Sequence, residues 1–127
     1  TQRLPRLSSL RFALDAIVSG KTINATDAFE NGVVDTVSGG RESLEDCALR
    51  WANWACLVSR GENGLLARNA SNRAVAGTFA ENAELVQAYG KRQAPTEQGG
   101  EAKRAAIRAV AASFAEPSFE RGCAVEA

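Results

Sequence analysis

Histidine and methionine are both absent from the 127 residues. Without histidine, no Ser-His or Cys-His nucleophilic pair and no His-ligated metal can form within the chain. Without methionine, translation is expected to begin upstream of Thr1. Cysteine is sparse: Cys47, Cys56 and Cys123 are odd in number and none stands in C-x-x-C spacing. They predict neither a zinc site nor a disulfide framework, but buried free thiols. Neither sign of charge prevails, since 15 basic residues balance 15 acidic ones. No run of like charge supplies the basic face that nucleic acid or an anionic membrane surface requires, so neither is expected as a partner. Long hydrophobic runs are missing as well; none approaches the roughly 18–20 residues of a membrane span. Thr1-Gln2-Arg3-Leu4-Pro5 has no signal-peptide character. Asn24-Ala25-Thr26 and Asn69-Ala70-Ser71 fit the glycosylation sequon, read as coincidence in the absence of a secretory signal. These absences predict a soluble protein of the cytoplasm or an organelle matrix, one modest domain or a large piece of one.

What is present is helical periodicity. Leu7, Leu10, Leu14 and Ile17 recur at helical spacing, with Ser8 or Ser9 able to cap the start and Gly20 to close the end. Asn24-Ala25-Thr26-Asp27 reads as an N-cap opening a short helix that stops at Asn31-Gly32. The β-branched run Val33-Val34-Asp35-Thr36-Val37 predicts a brief strand or extended exit, and Gly39-Gly40 a turn. Ser43 with Asp46 resembles a capping box, ahead of an apolar stripe of Leu44, Cys47, Ala48, Trp51, Ala55 and Val58. Residues 60–72 read as a loop. Thr78 with Glu81 forms a second capping box for a helix carrying Phe79, Ala83, Val86 and Tyr89. Residues 94–100 read as a connector. Ala102, Ala106, Val110 and Phe114 mark a further helix, ended by Pro117, and Ser118 caps a last one. The fold class is mainly α. Glu42, Glu45, Asp46, Glu81 and Glu84 read as carboxylates of solvated helix faces.

Two groups of residues carry a family resemblance. Thr1-Gln2-Arg3-Leu4-Pro5-Arg6-Leu7 is similar to the segment that follows the glycine-rich turn of crotonases. Ser19-Gly20-Lys21-Thr22-Ile23-Asn24-Ala25, Ala28 and Gly32-Val33-Val34-Asp35 resemble the T-G-K-x-I-x-A-x-x-A-x-x-x-G-L-V-D block of the enoyl-CoA hydratase/isomerase superfamily, with Asn24 for the commoner Ser and Val33 for the commoner Leu. Tyr89 to Pro95, Ala106 to Ala112 and Pro117-Ser118-Phe119-Glu120-Arg121-Gly122 resemble multifunctional β-oxidation enzymes. In those, a crotonase domain continues through a linker helix into a 3-hydroxyacyl-CoA dehydrogenase domain.

The resemblance implies that this chain is the helical C-terminal part of an α/β crotonase fold. It divides the chain into the end of the crotonase core at residues 1–58, a loop at 59–77, and linker and C-terminal helices at 78–127. Crotonases hold an acyl-CoA thioester carbonyl between two backbone N–H groups, and in hydratases two glutamates direct water across the double bond. The order of the motifs sets those groups upstream of Thr1, so no catalytic residue is expected within this chain. Acyl-CoA is the implied substrate of the intact protein, with no tightly bound cofactor. Candidates for contact with CoA are Phe119, which could stack on adenine, and Arg121 and Arg108, which could meet phosphate. Multifunctional relatives often carry Lys near the positions of Ala124 and Val125, a departure that weakens inherited phosphate contacts. The implied partners are a preceding N-terminal crotonase portion or a second copy, because Leu7, Leu10, Leu14, Ile17, Leu44 and Trp51 would otherwise face water. The implied compartments are a bacterial cytoplasm or the peroxisomal matrix. A reading of another class is a non-catalytic helical module for oligomerisation or scaffolding.

Overall fold

A computed structural model describes residues 1–58, 69–92 and 99–126. Among them the regular elements are all helical: α1 (Leu4–Leu7), α2 (Leu10–Ser19), α3 (Ala25–Glu30), α4 (Leu44–Val58), a 3₁₀ turn (Ala70–Asn72), α5 (Phe79–Arg92), α6 (Gly100–Ala115) and α7 (Phe119–Glu126). The mainly α expectation is met. None of these helices is long and apolar enough to cross a membrane.

Local chemistry sets most of the helix ends. Leu7 closes the short α1, and Ser8 leaves helical geometry at φ −121° and ψ −169°, so the next helix starts where a cap at Ser8 or Ser9 was expected. Ser9 begins α2 by accepting the Phe12 N–H at 3.2 Å, and Gly20 closes α2 in the left-handed conformation at φ 65°. Asn24 caps α3 through the Asp27 N–H at 2.8 Å. The end of α3 is a Schellman turn. Gly32 sits at φ 73°, its N–H reaching the Phe29 carbonyl while Val33 N–H reaches the Ala28 carbonyl at 2.8 Å.

That turn also corrects the expected strand at Val33–Val37. The Val33 and Val34 N–H groups are both spent on the Ala28 carbonyl. No strand occurs among the described residues to pair with the rest. β-propensity without a neighbouring ladder yields bends instead.

The two capping boxes differ. Thr78 and Glu81 exchange both bonds: Glu81 N–H donates to Thr78 Oγ1 at 3.3 Å and Thr78 N–H to Glu81 Oε2 at 2.8 Å. At Ser43 the hydroxyl accepts the Asp46 N–H at 3.0 Å, but the Asp46 carboxylate accepts from that hydroxyl rather than from the backbone. Further along, Gly99 starts α6 at φ 81°. Glu116 turns extended ahead of Pro117, and Ser118 Oγ accepts the Arg121 N–H at 3.2 Å to begin α7.

The core joins the two ends of the chain. Leu10, Leu14, Val75, Tyr89, Ile107 and Val110 form one buried cluster, edged by Ile17, Val18, Leu85, Val86 and Phe114. α2 packs against α5 and α6, α6 against α5 and α7, and α1 against α2, α6 and the 3₁₀ turn. Leu10 and Leu14, expected to need an outside partner, are 3% and 0% exposed because α5 and α6 cover them. Elements from before residue 58 and after residue 78 therefore share one interior.

α6 buries a wider arc than its sequence stripe suggests. Of Ala102, Ala106, Val110 and Phe114, only Val110 is fully buried, whereas Ile107, Ala109, Ala112 and Ser113 are buried as well. The reason is that α6 is flanked twice. α2 and α5 meet it at Ile107 and Val110, and α1 and α7 meet it around Ala109, Ala112 and Ser113.

α3 and α4 stand apart from these principal pairings. On α4, Cys47 and Ala55 are buried and Trp51 is half-buried with its ring 5.2 Å from that of Trp54. Leu44, Leu49 and Leu57 are 73%, 64% and 82% exposed. The expectation of buried thiols holds for Cys47 alone: Cys56 is exposed and Cys123 half-buried. Such small, weakly polar side chains follow the burial of their helix face, and α4 has little.

Two glycines are held by close contacts. A Cβ at Gly122 would overlap Gln2 Oε1, lie 2.8 Å from its Cδ and 3.4 Å from the Ala112 carbonyl. Gln2 is 2% exposed and tied to the Ala109 carbonyl, so it has no room to swing aside. At Gly32 a Cβ would combine positive φ with a 3.0 Å approach to the Leu7 carbonyl. Gly122→Ala and Gly32→Val should each lower stability by about 1–3 kcal/mol. Urea titration should show a reduced midpoint with an unchanged slope; a Gly122→Ala midpoint at or above wild type would reverse this account of the α1–α7 contact.

Candidate functional site

A groove of about 600 Å³ lies where α1, the segment after the 3₁₀ turn, the start of α5, the end of α6 and the start of α7 converge. It is built on Arg6. Pro5 fits the first turn of α1, where its missing N–H costs nothing, and this sets Arg6 facing α6. One terminal guanidinium nitrogen donates to the Arg73 carbonyl at 2.7 Å and the other to the Ser113 carbonyl at 2.8 Å. The guanidinium lies 5.5 Å from the centre of the Phe119 ring, within range for cation–π attraction.

Three phenylalanines line the groove: Phe79 from α5, Phe114 from α6 and Phe119 from α7. Phe79 and Phe114 meet edge to face with centroids 5.5 Å apart, the arrangement their ring quadrupoles favour. Phe79 remains 66% exposed. Charge along the groove is mixed: Arg6 and Arg73 stand with Glu116 and Glu120. The Glu120 carboxyl is held below the usual carboxylate range, chiefly by its own backbone N–H, then by Ser118, with Arg6 adding a smaller pull. Asn82, buried beside Gly77, donates to the Ala76 carbonyl at 3.1 Å and fixes the segment leading into α5.

Of the three residues singled out in the sequence, the structure brings Phe119 to this groove, half-buried. Arg108 on α6 and Arg121 on α7 are exposed, and neither lines it. The cation beside Phe119 is Arg6, 113 positions away in sequence by the difference of their numbers. No local motif marks it, because a guanidinium at the end of a four-residue helix carries no periodicity or spacing signal.

Three of the carboxylates read from the sequence act locally. Asp46 and Glu81 are caps, and Glu42 pairs with Arg50 through bonds of 3.0 and 2.6 Å on the surface. Among the described residues no three His, Cys, Asp or Glu side chains gather as metal ligands. No family model, no curated protein and no solved structure matches the chain.

A second polar contact lies between α2 and α5, where the Tyr89 hydroxyl donates to Asp15 Oδ1 and Arg92 stands 5.5 Å from the Tyr89 ring. Burial raises the Tyr89 phenol above its ordinary value, and the Asp15 carboxylate adds to this. A folded-state pKa above the unfolded one means the contribution is complete below the unfolded value near 10 and is lost as pH rises through the folded one. Stability should therefore fall above about pH 10. Tyr89 is the sole tyrosine, so phenolate absorbance reports it alone. Its titration midpoint should lie higher in native than in denatured protein, and a Tyr89→Phe variant should lose this alkaline component. Coincident midpoints would contradict the assigned contact.

Proposed function

We propose that this chain forms the C-terminal helices of a crotonase-superfamily unit, an enoyl-CoA hydratase/isomerase of fatty-acid β-oxidation. In the intact protein it would be joined to a 3-hydroxyacyl-CoA dehydrogenase. The observation that carries the reading is the Ser19–Asp35 block. It resembles the crotonase pattern at Gly20, Lys21, Ile23, Ala25, Ala28, Gly32, Val34 and Asp35, and Gly20, Asn24 (in place of the commoner Ser) and Gly32 each have a backbone task here: a left-handed C-cap, an N-cap and a Schellman glycine. The catalytic glutamates and oxyanion donors would come from sequence before Thr1, and acyl-CoA would be the substrate of the whole protein. The working compartment would be a bacterial cytoplasm or the peroxisomal matrix. For CoA contact, Phe119 is the best placed of the three residues named from sequence, with Arg6 beside it. On α4, Leu49 and Leu57 stand in solvent on the face turned away from the buried Cys47 and Ala55, and such an N-terminal portion would cover them.

A second reading has its own support. Because α1, α2, α5, α6 and α7 close a core without help, the chain could act as a non-catalytic helical module that self-associates through α4. Crotonyl-CoA absorbance separates the two. The 127-residue chain should show no hydration. The same chain extended to the start of its reading frame should hydrate the substrate in proportion to enzyme. Turnover by the short chain that survives repurification, or an inert extended protein, would contradict the catalytic reading. The inert result together with dilution-dependent oligomers in light scattering would favour the module.

A further inference from the structure

α4 carries both tryptophans of the chain, Trp51 and Trp54. Three positions apart, they are neighbours on the helix surface. Their ring centroids lie 5.2 Å from each other and the ring planes meet at 58°, so the indoles form an open corner rather than a stack. Trp51 stands one turn from each of the buried Cys47 and Ala55, which sets it on the side of α4 opposite Leu49 and Leu57. Asp35 and Thr36, from the bends that follow the Gly32 turn, line a cleft of about 400 Å³ together with Arg50 and the two tryptophans. Trp54 is 46% exposed, Asp35 is exposed and Trp51 is half-buried, so the cleft is open to a solute.

Charge decides what such a corner can hold. Arg50 gives Nε and a terminal nitrogen to the two oxygens of Glu42, at 3.0 and 2.6 Å. Its charge is thus matched by a carboxylate that does not line the cleft, and Asp35 adds a second carboxylate that does. Negative charge therefore prevails here among the described residues. The face of an aromatic ring is the negative part of its quadrupole, and the indole face attracts cations most strongly. We propose that the Trp51–Trp54 corner binds a methylated ammonium group, the head of a quaternary ammonium solute or of a trimethylated lysine side chain. Its methyl groups would lie against the two ring faces, with Asp35 supplying the opposite charge. A quaternary head is specified because it has no N–H to strand against ring carbon, whereas a bare ammonium holds its water strongly. The cleft is of a size with other small-molecule sites. This goes beyond the β-oxidation reading and does not depend on it, since every group belongs to this chain.

The test is a fluorescence titration of the 127-residue chain with choline, excited beyond the tyrosine band. Because the chain has two tryptophans and both line the cleft, the emission reports this site alone. Sodium chloride at equal ionic strength controls for screening, and 3,3-dimethylbutan-1-ol is the uncharged carbon analogue of choline. Choline should give a saturable change and bind about five- to thirtyfold more tightly than the alcohol, the worth of a cation held by two rings. Asp35→Asn, on an exposed segment, should weaken choline about two- to fivefold and leave the alcohol unchanged. Trp54→Leu, followed through Trp51, should weaken choline by a similar factor. A parallel titration with an N-acetylated trimethyllysine amide identifies the source of the head by whichever ligand binds more tightly, and either order supports the site. No saturable change with either cation, equal affinity for the alcohol, or unchanged choline binding in Asp35→Asn or Trp54→Leu would each overturn the proposal.

Discussion

The rest of the structure depends on the docking of the first twenty residues against α6. Two side chains of α1 and its N-terminal flank, Gln2 and Arg6, reach two carbonyls of α6, those of Ala109 and Ser113, each pair 107 residues apart in sequence. One turn separates the members of each set, so the two bonds act as a register. Alongside them Leu14 and Val110, both 0% exposed, anchor the apolar part of the same interface. Closing so long a loop is entropically unfavourable, although the cost grows slowly with length. Burying Leu10, Leu14, Ile107 and Val110 at about 1.5–3 kcal/mol per large side chain offsets much of it. The polar pairs then specify alignment, because an unpaired buried guanidinium or amide is penalised in any other register.

The consequences spread outward from that interface. With α1 fixed on α6, α7 must cross close to Gln2, and the contact leaves no space for a side chain larger than glycine at Gly122. With α2 fixed, Tyr89 of α5 can be buried while its hydroxyl still finds Asp15. The groove exists for the same reason: Arg6 is pinned by two carbonyls with Phe119 beside it, and Phe79 and Phe114 line the same groove. α4 lies outside this arrangement. Its exposed Leu49 and Leu57 are a reason to expect another surface against it.

Features encoded within a few residues were legible in the sequence. The Ser9 and Asn24 caps, Gly20, the Gly32 turn, the Thr78–Glu81 box and the Pro117–Ser118 break all appear where short-range chemistry sets them. Features that depend on partners were not. The valines at 33, 34 and 37 have strand propensity, but a strand needs a ladder, and the Ala28 carbonyl captures their first N–H groups. Leu44 opens the apolar stripe of α4 and Leu10 and Leu14 belong to that of α2, yet Leu44 is exposed and the other two are buried, because α6 covers α2. Phe119 was named from the resemblance of its segment, whereas Arg6 and Ser113 reach the groove through contacts spanning most of the chain.

The central claim is that α1, α2, α5, α6 and α7 form one cooperative core, with α4 outside it. Native-state hydrogen exchange measures this directly, since opening free energies rank segments by their place in the cooperative unit. Amides of α2 and α6 near Leu14 and Val110 should exchange only with global unfolding, at a common free energy. Those of α4 around Leu49 and Leu57 should exchange at a distinctly lower one. Protection of α4 equal to that of α2, or α2 opening separately from α6, would contradict the account.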